Sequence, residues 1–300
     1  MVARHFLPGS LPLVAQWAGF DFGQGKPAGA QDLSKLPQQE TAELSIVIPA
    51  YNEAGRLSAT LAAIAEHFRG SGRRVEVLVV DDGSTDGTAE RAHPPADAPP
   101  QLTWRLLRNP GNRGKGYSVR HGMLAATGER LLFTDADLSA PIAELARLEA
   151  ALDAGQGVEI AIGSRRRREL ISTHQSWFRE NSGRIFNRIV RLVLGLPYAD
   201  TQCGFKLFTH ASARAIFSRQ RIEGWGFDPE LLYLARKLGF RVAEVPVVWG
   251  HAENTKIRML RDSWRMFADV AAIRGNAWLG RYRTAARTES APGMERHQDA

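Results

Sequence analysis

From Leu44 onward the chain switches between two spacings of apolar residues. Short unbroken runs read as buried strands: LSIVIPA (44–50), VEVLVV (75–80), LTWRLL (102–107), LLFTDAD (131–137) and VEIAIGS (158–164). Between the first two, Leu57, Leu61, Ile64 and Phe68 recur at helical spacing, which predicts a helix within Glu53–Phe68. A Gly-rich stretch, NPGNRGKGYS (109–118), leads into a helix ending near Ala126, and Pro141 opens another. This alternation fits crossover units, so the expectation is an α/β fold with a mostly parallel sheet flanked by helices. The polar and Gly-rich motifs follow the carboxyl ends of strands, where open α/β sheets bind ligands.

After Arg165 the alternation stops. A helix is expected over roughly 175–195, then a mixed region, a helix at 227–238, a strand at 241–248 and a helix from about 258 to 274. Residues 1–42 are rich in Gly, Pro, Gln and Ala without a sustained period and read as a poorly ordered arm. The expected organisation is that arm, one domain over 43–276, and a polar tail over 277–300. No internal repeat is present.

Composition narrows the class. With 300 residues, 44% hydrophobic and 24% charged, the chain is globular rather than disordered, collagenous or polytopic in a membrane. Its longest early uncharged stretch, Phe6–Phe20, contains Pro8 and Pro12 and is shorter than the ~20 residues a membrane-spanning helix needs. The net charge of +7 suits an anionic partner, whether nucleic acid, lipid headgroup or phosphate. The single cysteine, Cys203, excludes an intrachain disulfide and a Cys-rich zinc site, and is compatible with a reducing compartment.

Four groups of residues carry candidate chemistry. Asp81 and Asp82 follow a strand directly; they read either as acceptors for a base or ribose, or as an Asp-Gly turn with a helix cap. Asp135 and Asp137 flank Ala136 at the next strand end, where residues two apart face the same way and suit a hard divalent cation that bridges phosphates. Arg184, Arg188 and Arg191 share one helix face beside Ile185, Phe186, Ile189, Val190 and Val193, and Arg258, Arg261 and Arg265 repeat the pattern. Two amphipathic helices of this kind can lie in a membrane interface, or can simply pack on the core. The run Arg165–Arg168 reads as a nucleic-acid patch or a solvated charge run.

The motifs SIVIPAYNEAGRL, VLVVDDGSTDGT, NRGKG and FTDAD, in this order, resemble family 2 glycosyltransferases with the GT-A (Rossmann-like) fold. IAIGSRR, WFRENSGRIFNRIVRLVLGLPYADTQCGFKLF and GWGFDPELL resemble the branch that contains dolichyl-phosphate glucosyltransferases, so the likeness covers roughly Leu44 to Asn276. The resemblance implies that Pro49, Tyr51 and Glu53 contact the nucleotide and that Asp81 and Asp82 hold its base or ribose. It implies that Asp135, Ala136 and Asp137 line the ribose, diphosphate and metal site, with Asp137 the foremost metal ligand and Asp135 beside it. Ser139 stands where relatives often carry Gln. Lys115 faces phosphate or solvent, and Arg165 lies near the phosphates of donor or acceptor, as do Arg184 and Arg188 on the acceptor side. Asp200 aligns with an aspartate near the reacting sugar.

The implied reaction is inverting transfer of glucose from UDP-glucose to a polyprenyl or dolichyl phosphate, with Mg or Mn as divalent cofactor. The enzyme would be cytoplasmic and peripheral, on an anionic face of the cytoplasmic membrane. Alternatives are another donor such as GDP-mannose, a soluble acceptor, or a basic nucleic-acid-binding protein. Against the last, the basic residues lack interleaved aromatic platforms, and no helix-turn-helix or zinc-finger pattern is present.

Overall fold

The computed structural model describes residues 41–165, 177–250 and 259–283. Seven strands form one sheet in the order β3-β2-β1-β4-β6-β5-β7. They are β1 (Leu44–Ala50), β2 (Val75–Asp81), β3 (Leu102–Arg108), β4 (Arg130–Thr134), β5 (Ile160–Ser164), β6 (Phe205–Thr209) and β7 (Val242–Pro246). β1 lies between β2 and β4 and is parallel to both. β6 runs antiparallel to its neighbours β4 and β5, while β5 and β7 are parallel. The expectation of a mostly parallel α/β sheet therefore holds.

The central strands read as unbroken apolar runs because both of their faces are covered. Val47, Leu78, Val80 and Phe133 pack on one side with α3 (Lys115–Ala125), α6 (His210–Phe217) and α7 (Phe227–Lys237). Ile46, Ile48, Val77, Val79 and Leu132 pack on the other with α1 (Leu57–His67) and α4 (Leu145–Asp153), and the short α2 (Thr88–Arg91) follows β2. The strand order reverses at β1, with β2 to one side and β4 to the other. Such a reversal opens a crevice at the carboxyl ends of the strands. The loops after β1, β2 and β4 all emerge there.

The expected mixed region between the helices at 175–195 and 227–238 holds β6 and α6. Lys206, fully buried in β6, breaks the apolar run that would have marked the strand. The pairing Thr134↔Phe205 lays β6 against the end of β4, so Cys203 and Gly204 come up beside Asp135.

Two boundaries differ from expectation. α8 (Met259–Trp278) runs past residue 276, and Tyr282 beyond it is buried, with its hydroxyl donating to Glu230 at 2.6 Å. Residues 277–283 thus belong to the packed domain, because an aromatic side chain and its hydroxyl both find partners on α7. At the other end Ala42 already accepts from the Glu129 amide at 3.0 Å. The expected arm up to residue 40, the tail from 284, Arg166–Arg168 and Arg258 lie outside the described residues.

α5 (Trp177–Leu194) and α8 meet through Phe186 and Phe267, edge to face with centroids 4.9 Å apart. Val190 and Leu194 point inward from α5, as do Val270 and Ile273 from α8. Arg188 and Arg265 are exposed, and so are Leu192, Val193, Trp278 and Leu279. Arg191 is half-buried; the side chains of Arg184 and Arg261 lie outside the described residues. No helix among the described residues is long and apolar enough to cross a membrane.

Candidate active site

The loop after β1 is laced to the loop after β2. The Asn52 amide donates to Ser84 Oγ at 2.9 Å, and Asn52 Oδ1 accepts from the Thr85 amide at 2.9 Å. Asn52 adopts φ 52°, a region that its short polar side chain tolerates. The Glu53 amide donates to Thr88 Oγ1 at 2.7 Å, and the Glu53 carboxylate pairs with Arg56 at 2.7 Å. Pro49 is the penultimate residue of β1, and Tyr51, just past the strand, is exposed.

Asp81 and Asp82 are buried and cap backbone amides of the loops around them, as turn acids do. Asp81 Oδ1 accepts from the Ser84 amide at 3.1 Å. Asp82 anchors the Gly-rich loop: Oδ1 accepts from the Arg113 amide at 2.9 Å and Asn109 Nδ2 at 2.7 Å, and Oδ2 from the Gly114 amide at 2.8 Å. The same loop delivers Lys115 as the first residue of α3.

Lys115 meets the acids at the end of β4. Its Nζ lies 2.5 Å from Asp135 Oδ1. Burial would lower the Lys115 pKa, but the charges of Asp135, Asp228 and Asp137 outweigh it and leave the pKa raised. Asp135 also presses on Gly204, where a Cβ would overlap the carboxylate, so only glycine permits this approach. Ala136 is buried and its carbonyl accepts from Thr60 Oγ1 at 2.6 Å.

Asp137 takes different partners. Its Oδ1 accepts from the Ser139 amide at 3.0 Å and Ser139 Oγ at 2.9 Å, while Oδ2 lies 3.7 Å from Arg56 Nη1. The carboxylate is a quarter exposed. Ser139 thus orients the acid. Among the described residues no three His, Cys, Asp or Glu side chains converge as a self-contained metal cage. A single carboxylate oxygen does suit a hard cation that completes its shell with water and substrate phosphates, as Mg characteristically does. The donor set at Asp137 Oδ2 therefore fits such an ion, whereas Asp135 is engaged by Lys115.

On the other side of β6, Arg165 and Asp200 form a two-pronged ion pair. Arg165 Nε reaches Asp200 Oδ2 at 2.7 Å and Nη2 reaches Oδ1 at 2.8 Å, with the Arg165 amide adding a third contact at 3.0 Å. Burial would raise Asp200, but the Arg165 charge and hydrogen bonds, with the Gln202 amide, hold it at about 2. Arg165 stacks on Trp249 at 5.1 Å. Glu244 braces the loop from behind, accepting from the Asp200 amide at 2.9 Å and the Ala199 amide at 2.8 Å. Asn187 of α5 accepts from Thr201 Oγ1 at 2.7 Å, which ties that helix to the same loop.

Sequence reasoning missed a second buried pair. Lys206 Nζ is bonded to Asp228 Oδ1 and to the Cys203 carbonyl, the latter at 2.5 Å. Burial pushes Asp228 upward against the charges of Lys206 and Lys115. The available signal was a lysine inside the strand text GFKLF. Burial also pushes the Cys203 thiol up to about 12, so it is no nucleophile at neutral pH.

Residues 45–217 match the family described as Glycosyl transferase family 2. The chain belongs to that family, and is a glycosyltransferase with a GT-A fold. Curated relatives include the dolichyl-phosphate beta-glucosyltransferase of Drosophila melanogaster, 38% identical over 83% of this chain and 80% of that protein. The Homo sapiens protein of the same name is 34% identical over 84% and 81%. Among solved structures, glucosyl-3-phosphoglycerate synthase from Mycobacterium tuberculosis, in complex with Mn2+, UDP-glucose and phosphoglyceric acid, superposes with a TM-score of 0.58. It is 20% identical, with 84% of this chain and 86% of that one covered, a likeness of fold.

Proposed function

We propose that the protein transfers glucose from UDP-glucose to a polyprenyl or dolichyl phosphate with inversion at the anomeric carbon. The names of its curated relatives support the substrates. The observation that carries the mechanism is the Arg165–Asp200 pair. A hydroxyl acceptor needs a base to take its proton. Asp200, held at about 2 with both oxygens engaged, is a poor base at neutral pH. A phosphate monoester has a second pKa of about 6 and arrives already ionised. Such an acceptor attacks without proton removal; Arg165, its charge balanced by Asp200 through Nε and Nη2, would hold the acceptor phosphate by hydrogen bonds from Nη1 rather than by net charge.

The donor would lie across the crevice, its nucleoside against the Pro49–Glu53 and Asp81–Asp82 loops and its diphosphate toward Asp137. A divalent cation, when bound, supplies positive charge to the departing diphosphate, and Asp137 would hold it through Oδ2. Lys115 neutralises Asp135, so that less negative charge opposes the diphosphate. Arg56 supplies a further positive charge beside Asp137.

We place the protein peripherally on an anionic, cytoplasmic membrane face. Exposed Leu192, Val193, Trp278 and Leu279 beside Arg188 and Arg265 support this reading of α5 and α8. Transfer assays with UDP-glucose, UDP-galactose and GDP-mannose, with and without polyprenyl phosphate, test the proposal. Turnover with UDP-glucose that depends on the lipid phosphate is expected; turnover only with a hydroxyl acceptor would overturn it. Co-sedimentation with anionic vesicles should fall as salt rises, since each basic residue near the surface contributes about 1 kcal/mol of screenable attraction.

A further inference from the structure

Residues 218–226 join α6 to α7, and the part 221–226 is held from several sides. From behind, Glu230 accepts from the Arg221 amide at 3.0 Å, the Ile222 amide at 2.9 Å and the Tyr282 hydroxyl at 2.6 Å. The Gly226 amide donates to Asp269 Oδ2 of α8 at 3.1 Å, and a Cβ on Gly226 would overlap Asp269, so glycine is required. From the front, the Tyr117 amide donates to the Glu223 carbonyl at 3.1 Å, and Arg113 pairs with the Glu223 carboxylate at 2.9 Å. Gln220 Nε2 bridges the Gly116 and Ile222 carbonyls, each at 2.9 Å.

Within this held loop Trp225 is 44% exposed, while its apolar neighbours Ile222 and Phe227 are buried. The ring is also placed: Lys115 Nζ lies 5.2 Å from its centroid and, on its other side, 2.5 Å from Asp135 Oδ1. Attraction between the ammonium and the π face fixes the orientation of the ring. Trp225 therefore borders the acidic end of β4, where the proposed donor carries its diphosphate and sugar.

We propose that Trp225 is the apolar platform for the hexose of the nucleotide sugar and sets the preference for glucose; this rests on the function proposed above. Glucose carries its ring hydroxyls equatorially, so each ring face presents axial C–H groups that match an aromatic face. Galactose and mannose each turn one hydroxyl axial on the same face, the one opposite the axial diphosphate oxygen of an α-linked donor, so a ring packed on that free face meets C–H groups in glucose and a polar atom in the other two. Ligand sites commonly combine such an aromatic wall with a few placed polar groups. The prenyl chain of an acceptor is the poorer occupant. It would strip water from the Lys115–Asp135 pair without replacing its hydrogen bonds.

Full-length parent, Trp225→Phe and Trp225→Leu proteins are compared for transfer from UDP-glucose and UDP-galactose. Calorimetry with UDP and with UDP-glucose, both with Mn, runs in parallel. The Leu variant should bind UDP within about twofold of the parent. Its kcat/KM for UDP-glucose should drop about tenfold and its glucose-to-galactose ratio move toward one, the Phe variant falling between. Unchanged kcat/KM and unchanged ratio in the Leu variant would overturn the inference. So would an equal loss of UDP and UDP-glucose affinity, which would assign the ring to the nucleotide or to the loop. A parent that transfers no glucose sinks the enzymatic reading separately. In that case the affinity difference between UDP-glucose and UDP still decides: it should shrink in the Leu variant, and its persistence would overturn the platform.

Discussion

Asp82 and Asp137, at the ends of β2 and β4, take their hydrogen bonds from amides and neutral side chains within their own loops or the next one, the part-exposed Arg56 approaching Asp137 only to 3.7 Å. Asp200 and Asp228, around β6, are instead faced by Arg165 and Lys206. Amide donors hold a carboxylate in place without cancelling its charge, whereas a buried cation cancels it. The parallel half of the sheet thus keeps negative charge available for a ligand's hydroxyls or cation, and the antiparallel strand brings in charges that are balanced internally. Asp135 lies at the boundary, at the end of a parallel strand but neutralised by Lys115.

Removing one partner of the deepest balanced pair should have the largest effect. Lys206→Met leaves Asp228 buried without its cation and should cost about 3–5 kcal/mol of stability in urea unfolding. Adding Asp228→Asn should recover more than half of that loss. A single variant as stable as the parent would mean that this charge is not balanced by Lys206.

The Arg165–Asp200 pair is more open and should matter less. Asp200 is depressed from its ordinary 3.8 to about 2, so its contribution is present above the ordinary value and lost as pH falls through about 2. That shift corresponds to about 2 kcal/mol. Asp200→Asn should therefore be less stable than the parent at pH 7, and the gap should close between pH 4 and pH 2 in acid titrations. Its pH–rate profile should gain no alkaline rise. Such a rise would make Asp200 a base and the acceptor a hydroxyl.

The amide-held acids should respond through ligand affinity instead. Asp137→Ala should weaken UDP binding in the presence of Mg or Mn about tenfold, about 1.4 kcal/mol, with little change when EDTA is present. Equal loss in both conditions would remove Asp137 from the metal. The smallest effect belongs to Ser139→Ala, which deletes one of two hydrogen bonds to Asp137 Oδ1. Metal-dependent UDP affinity should then fall by about 0.5–1 kcal/mol in the same calorimetry. No change would mean that the Ser139 amide alone orients the acid.

The strands β1 to β5, the longer helices between them and the positions of the acidic motifs were legible in the amino-acid order; the one-turn α2 in the stretch read as a loop after β2 was not. Each depends on neighbours within a few residues: an apolar run, a helical period, an Asp-Gly turn. The mostly parallel sheet followed from their alternation, and family membership from the motifs taken together. Tertiary structure alone decided that β6 enters antiparallel between β4 and β5, carrying a buried lysine that hid the strand. It also decided which cation meets which acid: Lys115 for Asp135, Arg165 for Asp200, Lys206 for Asp228. Those partners stand 20, 35 and 22 residues apart. Local spacing determines which way a side chain leaves its own element. Whether an opposite charge waits there depends on the crossing of elements distant in sequence, and in a buried site that crossing sets the charge left for the ligand.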